Sequence, residues 1–394
     1  MKENNMNAML VALHETEGVG WKTIDRIMAA GLKEEMVRYT ESEWLKCGLA
    51  VDTARRLSAS FPHSVHEICR KLSEGSGKTG SNRCHEGLEA TAKRRQNGIE
   101  IITRLDESYP DMLKSTPQAP WVLYAMGNIH LLNEPGLAMV GTRVPTAYGR
   151  KVGSMLAEEL CRAGLTIVSG MARGIDSVVH DTALRSGGKT IAVLGSGIDI
   201  VYPSENRSLY EEIAQQGLII SEYPPGTKAL PGFFPQRNRI IAGLTLGTLV
   251  VEADVKSGSL ITADAALEAG RDVYAVPGPI TSPKSHGTLN LIKQGAKPVT
   301  CAEDVMEEYR WRFPILQGES PKRDLHEDNG MIPTTDGLTN DEMKIYHMLE
   351  QGPGTLDEIL ERTRWDFGHL HSVLLSLIIK KQITQLPGAI YKLI

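Results

Sequence analysis

The first thirty residues lack an apolar stretch as long as that of a signal peptide or membrane helix, because Glu, His, Asn and Lys are mixed among the apolar positions between Met1 and Ala30. That excludes a signal peptide or membrane helix there, and the expectation is a cytoplasmic chain with no membrane partner. Cysteine is scarce. Cys47, Cys69, Cys84, Cys161 and Cys301 are odd in number, widely scattered and never in a CxxC pair, so neither a disulfide framework nor a zinc site is expected. An excess of positive charge is also missing. The 43 Lys and Arg stand against 48 Asp and Glu, a net charge of -5, whereas a chain that coats nucleic acid by charge alone is strongly basic. Any nucleic-acid site must therefore be local.

Two nucleotide fingerprints are incomplete. Gly75-Ser76-Gly77-Lys78-Thr79 ends like a Walker A loop, but Leu72 stands where its first glycine is required and no apolar strand precedes it. Gly195-Ser196-Gly197-Ile198-Asp199 lacks a third glycine at Ile200, and Tyr202-Pro203 interrupts the helix that would carry a pyrophosphate. No cofactor is expected.

What is present is an ordinary globular composition, 41% hydrophobic and 23% charged over 394 residues, enough for one full-sized core and smaller modules. Residues 1–72 read as short amphipathic helices, a helical domain resembling SAM or helix-hairpin-helix modules. Within it Glu17-Gly18-Val19-Gly20-Trp21-Lys22-Thr23-Ile24 places a GxG turn before an apolar-periodic segment, which serves either as a backbone cradle for a DNA phosphate or as a plain glycine turn in a bundle. Residues 73–97 are rich in Gly, Ser and Lys and read as a connecting segment. Between Leu137 and Thr300 strand-length apolar runs alternate with helical stretches: Leu137 to Val140, Leu165 to Ser169, Thr190 to Leu194, Leu218 to Ser221, Thr248 to Val251 and Asp272 to Val276. This is the pattern of an α/β fold, a Rossmann-like doubly wound parallel sheet across residues 98–311. Its ligand belongs outside the carboxyl ends of the strands. Residues 312–336 read as a polar linker, and residues 337–394 as three helices and a hairpin turning at Pro387-Gly388, a winged helix.

The strand ends carry the chemistry. Gly141-Thr142-Arg143 follows the first strand and Ser169-Gly170-Met171-Ala172-Arg173-Gly174-Ile175-Asp176 the second. Small residues there expose N–H groups, and each loop adds an arginine suited to phosphate oxygens, although the glycines also permit tight turns with no ligand at all. Seven Lys and Arg against four Asp and Glu make the stretch from Gly141 to Lys189 locally basic. Phe233-Phe234-Pro235-Gln236-Arg237-Asn238-Arg239 opens a helix before the fifth strand, placing cations beside aromatic rings as a single strand requires. The structural alternative is an arginine pair tied to Glu252. Lys256 is a candidate phosphate contact, and Ser259 a helix cap near the same crevice. No catalytic set accompanies these residues. His180 and Asp181 sit on a helix face, Ser169 has no histidine in its loop, and His369 and His371 are two apart on a helix and diverge. Neither a metal centre nor an enzyme is expected.

Taken in order, Gly141-Thr142-Arg143, Ser169 to Asp176, Phe234-Pro235-Gln236-Arg237-Asn238-Arg239, Ser257-Gly258-Ser259-Leu260-Ile261-Thr262, Ala275-Val276-Pro277-Gly278 and Gly287-Thr288-Leu289-Asn290 resemble the DprA/Smf family. The resemblance runs from about Asp106, through Tyr109-Pro110 and Pro120, to Ala296. It implies a homodimer, formed through the Rossmann-like domain, that binds and protects single-stranded DNA and helps load the recombinase RecA during natural transformation. It also implies a phosphate pocket lined by Arg143, Ser169, Gly170, Lys228, Phe233, Arg237 and Arg239. Gly141, Thr142, Arg173, Asn238 and Lys256 complete the expected DNA-binding set. The winged helix carries no arginine in its third helix before Lys380, so it fits a protein partner better than a duplex. The rival class is a Rossmann-like nucleotide-phosphate hydrolase, for which Glu252 is the candidate carboxylate.

Overall fold

Residues Ala8 to Leu13 have no polar break, so the first helix, α1 (Lys2–Glu15), is buried all round over that stretch instead of along one stripe. The computed structural model describes residues 2–74, 95–96, 98–309, 338–350, 352–380, 382–386 and 390–393. Helices α2 (Trp21–Ala29) and α4 (Val51–Glu74) pack on α1, and α3 (Glu41–Lys46) packs on α4. The Gly75 to Thr79 motif, Cys84, the linker read at 312–336 and the Pro387-Gly388 turn lie outside the described residues.

Ten strands form one sheet. They are β1 (Arg95–Gln96), β2 (Ile99–Thr103), β3 (Val122–Gly127), β4 (Gly136–Val140), β5 (Thr166–Ser169), β6 (Thr190–Leu194), β7 (Leu218–Ser221), β8 (Gly247–Val250), β9 (Asp272–Ala275) and β10 (Lys297–Pro298), in the spatial order β1-β2-β3-β7-β6-β5-β4-β8-β9-β10. From β7 to β10 every pairing is parallel, and β1, β2 and β3 extend the sheet antiparallel beyond β7. This antiparallel extension is absent from the strands expected between Leu137 and Thr300. The mixed sequence of β2, with Glu100 among its isoleucines, and the surrounding prolines conceal it.

The helices between strands are α5 (Asp111–Lys114), α6 (Ala147–Arg162), α7 (Ile175–Arg185), α8 (Arg207–Gln216), α9 (Phe233–Gly243), α10 (Gly258–Glu268), α11 (His286–Lys293) and α12 (Glu303–Tyr309). Alternation along β4 sorts them into two layers. Leu137 and Met139 pack with Leu156 and Leu160 of α6 and Val179 of α7, while Ala138 and Val140 pack with Ile240 and Ile241 of α9 and Ala263 of α10. The result is a Rossmann-like α/β sandwich.

The described chain divides into two units, Met1–Gly318 and Glu319–Ile394. Within the first, the N-terminal helices and the sheet share one core: Trp44, Leu57 and Phe61 belong to the same cluster as Ile101, Trp121 and Tyr124. Polar ties reinforce it. Asn7 Nδ2 donates to Asp106 Oδ1 at 2.8 Å, Trp21 Nε1 to the Ala119 carbonyl at 2.7 Å, and the Tyr124 hydroxyl to Glu15 Oε1 at 2.8 Å. Gly18 of the GxG turn has a φ of 85°, and a Cβ there would come within 2.9 Å of Thr53 Oγ1. This glycine is needed by the packing against α4.

The second unit holds α13 (Asn340–Glu350), β11 (Gly354–Thr355), α14 (Leu356–Thr363), α15 (Phe367–Ile379), β12 (Ile383–Leu386) and β13 (Ile390–Leu393), with an antiparallel sheet in the order β11-β13-β12. A capping box between Thr355 and Glu358 starts α14, and Asp366 caps α15 by accepting from His369 N–H at 3.0 Å. Ile345, Leu349, Ile359, Leu370, Leu374 and Leu377 fill its core. Helix–strand–helix–helix–hairpin is a winged helix.

Candidate nucleic-acid interface

After β4 the chain winds outward through β5, β6 and β7, and α9 then returns it to β8 on the other flank of β4. The order therefore reverses between β4 and β8. A crevice must open there, because the loops after the two strands diverge to opposite sides. It is a cleft of about 630 Å³, walled by Val140 to Arg143, by Tyr202, by Pro231 and the first turns of α9, and by Asp254 to Thr262 with Lys284.

The first loop reaches this cleft with one side chain. Arg143 is exposed, and its guanidinium carbon stands 5.8 Å from the centroid of the Phe234 ring. Thr142 is buried and donates its N–H to the Glu252 carbonyl at 2.7 Å, and Gly141 is required because a Cβ would strike Ile175 at 2.6 Å. The start of α6 is already occupied by a carboxylate. Glu252, 3% exposed, accepts from Thr146 N–H at 2.8 Å and from the Thr146 hydroxyl at 2.6 Å, satisfying groups that a phosphate would otherwise bind. Glu252 is therefore neither the partner of the arginine pair nor a free carboxylate facing a substrate.

The second loop is likewise filled from within. Met171 takes a φ of 57°, a left-handed conformation that aims the N–H groups on either side of it into one concavity. Gly170 and Ala172 donate from there to Asp176 Oδ2 at 3.2 and 3.3 Å. Asp176 is buried, and burial pushes its carboxyl up to about 6 against the opposing pull of Arg237 and the two amides. The Ser169 hydroxyl turns inward and donates to the Met139 carbonyl at 2.6 Å. Arg173 is exposed and pairs with Glu205.

The arginine motif divides by depth. Arg237 is 5% exposed and donates to the carbonyls of Gly170, at 2.6 Å, and of Val193, and through Nε to Asn238 Oδ1 at 3.2 Å. Burial lowers it to about 10, with Asp176 pulling the other way. It forms the floor of the cleft, and a Cβ on Gly170 would lie 2.6 Å from it. The same enclosure holds His180 neutral: burial first, then Arg237, lowers it to about 3, and its Nδ1 meets the Thr190 hydroxyl at 2.6 Å. Arg239 is absent from the cleft wall and forms a two-pronged pair with Glu222 at 2.6 and 2.5 Å. Phe233 stacks on Tyr223, with ring centroids 4.2 Å apart, whereas Phe234 faces the cleft and meets Tyr202 at 5.3 Å.

These placements revise the expected pocket. Ser169, Gly170 and Arg237 form the structure beneath the cleft, with polar groups bonded inside the protein, and Arg239 is held away from it by Glu222. Phe234 takes the place expected for Phe233. Lys228 is exposed on the loop before α9 but lies outside the cleft wall. Lys256 is exposed and Asn238 half-buried, both in the wall, and Asn238 donates to the Gly258 carbonyl at 3.3 Å.

Helix α10 differs from α6 and α7. Its cap Ser257 accepts from Ser259 N–H, no acidic residue lies in its first turn, and Ser257, Gly258 and Ser259 all line the cleft. Lys256 and Lys284 flank it, so the positive end of a helix and two ammonium groups face one space. Asp254 is the one opposing carboxylate in that wall besides Asp176. Lys284 and Tyr202 escaped the sequence reading. Lys284 sits in the loop after the sixth expected strand, which the carboxyl-end rule also places at this edge. Among the described residues no group of three or more His, Cys, Asp or Glu is placed to hold a metal ion, and no helix is long and apolar enough to cross a membrane.

Residues 100–310 match the family model described as DNA recombination-mediator protein A, and residues 332–389 match the DprA winged helix domain. Protein Smf of Synechocystis sp. is 39% identical over 325 residues, 76% of this chain and 81% of that protein. DNA processing protein DprA of Bacillus subtilis is 46% identical over 218 residues, 55% of this chain and 73% of that protein. Among solved structures, DNA processing protein A (DprA) from Streptococcus pneumoniae aligns with a TM-score of 0.59 at 35% identity, covering 77% of this chain and 97% of that one. With its matched segment spanning more than half of the sequence and forming the sheet that bears the cleft, the chain belongs to the DprA/Smf family.

Proposed function

We propose that this chain binds single-stranded DNA along the cleft between β4 and β8, shields it, and helps load RecA onto it during natural transformation and homologous recombination. The observation that carries the reading is that three cations, Arg143, Lys256 and Lys284, line the same cleft as the Tyr202 and Phe234 ring pair, with Arg143 beside Phe234. Cations track a phosphate backbone, and exposed rings stack on bases that no partner strand covers. Membership of a family described as recombination mediators supports DNA as the ligand. A duplex is disfavoured, since its bases are stacked on one another. Helix α15 of the winged helix presents Phe367, His371 and Leu375 to solvent and no arginine, a surface better suited to a protein than to a groove.

The chain acts by binding, without turnover, as a homodimer through its sheet domain in the cytoplasm. Gel shifts with a single strand, a duplex of the same sequence and mononucleotides test the reading. A single strand retained in preference to both others, and released as salt rises, is the expected result. Equal retention of duplex overturns it. RecA loading is tested by the rate of RecA assembly on an oligonucleotide already covered by this chain, and self-association by sedimentation.

A further inference from the structure

In a doubly wound sheet the helix after the first strand and the loop after the second are where small phosphates dock, on N–H groups left unpaired by the fold. Here both positions hold a carboxylate of the chain itself. Glu252, from the end of β8, closes on Thr146 at the start of α6, and Asp176, from the first turn of α7, closes on the Gly170 and Ala172 amides. Both are buried, at 3% and 6% exposure. Asp176 lines the cleft beside Ala172, and Glu252 fills the space against Gly149 at the start of α6, so a dianion reaching either position meets a like charge where it would otherwise meet donors.

We infer that Glu252 and Asp176 are specificity-determining residues, built-in anions that make the cleft reject mononucleotides and inorganic phosphate while accepting a polynucleotide. This rests on the single-strand reading and deepens it. A free nucleotide carries one terminal phosphate and needs a closed set of donors to bind. A strand presents successive phosphodiesters to open cations, here Arg143, Lys256 and Lys284 beside the start of α10. Affinity then comes from the number of phosphates engaged, each contributing a little, and a single phosphate gains too little to remain bound.

The first measurement uses the unaltered chain. A fluorescent oligothymidylate is displaced by unlabelled oligonucleotides of increasing length, by 5′-dAMP and by inorganic phosphate, all at matched ionic strength. Displacement that rises steeply with length, and is absent with millimolar dAMP or phosphate, is expected. Displacement by dAMP or phosphate beyond that of chloride overturns the inference, whereas failure to bind the oligonucleotide at all removes the single-strand reading instead.

The second measurement uses Glu252→Ala, which vacates the start of α6, beside Glu252→Gln, which removes the charge but keeps the space filled. The alanine variant should melt at a higher temperature in phosphate than in chloride of equal ionic strength, and the wild type and the glutamine variant should not. Identical melting of the folded alanine variant in the two salts overturns the inference. Should that variant not fold, Asp176→Ala gives the same comparison at the second nest, and the displacement series decides by itself.

Discussion

The guanidinium of Arg239 donates to both carboxylate oxygens of Glu222, at 2.6 and 2.5 Å, with the two side chains 23% and 12% exposed. The pair fastens α9 to the end of β7, and the backbone carbonyl of the same Glu222 meets His14 Nε2 at 2.8 Å. Removing one member leaves the other charged and largely enclosed. Arg239→Ala and Glu222→Gln are both expected to lower stability, the alanine change by about 3 kcal/mol, and both should weaken single-strand binding by disordering the cleft. Neither removes a phosphate contact, so the slope of log affinity against log salt should match that of the wild type. Urea melts and a salt titration check this, and a slope reduced by about one in Arg239→Ala would show that Arg239 touches phosphate after all.

Arg143 has the opposite character. It is exposed, beside Phe234, at the mouth of the cleft. Arg143→Ala should leave stability within about 0.5 kcal/mol of wild type, weaken single-strand binding at low salt, and reduce the salt slope by about one. Lys256→Ala and Lys284→Ala should act alike. Unchanged affinity in all three variants would remove these cations from the binding path.

Asp176 makes stability depend on pH. Burial raises its carboxyl to about 6 from the ordinary 3.8, so between these values the folded chain keeps a proton that the unfolded chain has released. Folding is then favoured at the acid end, and this contribution is lost as pH rises from about 4 through about 6. Asp176→Asn cannot titrate. Its melting temperature relative to wild type should therefore climb as pH goes from 4 to 7, and a flat difference would mean that the wild-type carboxyl is not held protonated by burial.

The N-terminal helices should not be removable. Ile101, Trp121, Val122 and Tyr124 of the sheet side lie in one cluster with Leu10, Leu13, Trp44 and Phe61, so a chain beginning at Gly98 exposes a large apolar surface. Light scattering and size-exclusion chromatography should find that truncated chain aggregated. A monodisperse product with the wild-type melting temperature contradicts the shared core.

Period and punctuation made much of this protein legible in its sequence. Apolar runs of four or five residues locate β4 through β9 within a residue or two, and the carboxyl-end rule places the cleft at the strand ends where the structure has it. The winged helix is equally legible, as three helical patterns followed by a hairpin signal at Pro387-Gly388. Depth was not legible. Arg143, Arg237 and Arg239 are the same residue type near the same strand ends, yet one faces solvent, one forms the floor and one is bound to Glu222. Which partner a charge finds depends on elements far apart in the chain: Glu252 reaches Thr146 across 106 residues and Arg237 reaches Gly170 across 67. A local pattern sets the strand, its direction and the loop that follows it. Only the assembled sheet decides whether that loop's N–H groups remain open to a ligand or close on a carboxylate of the chain itself, because burial and pairing are properties of the fold in space.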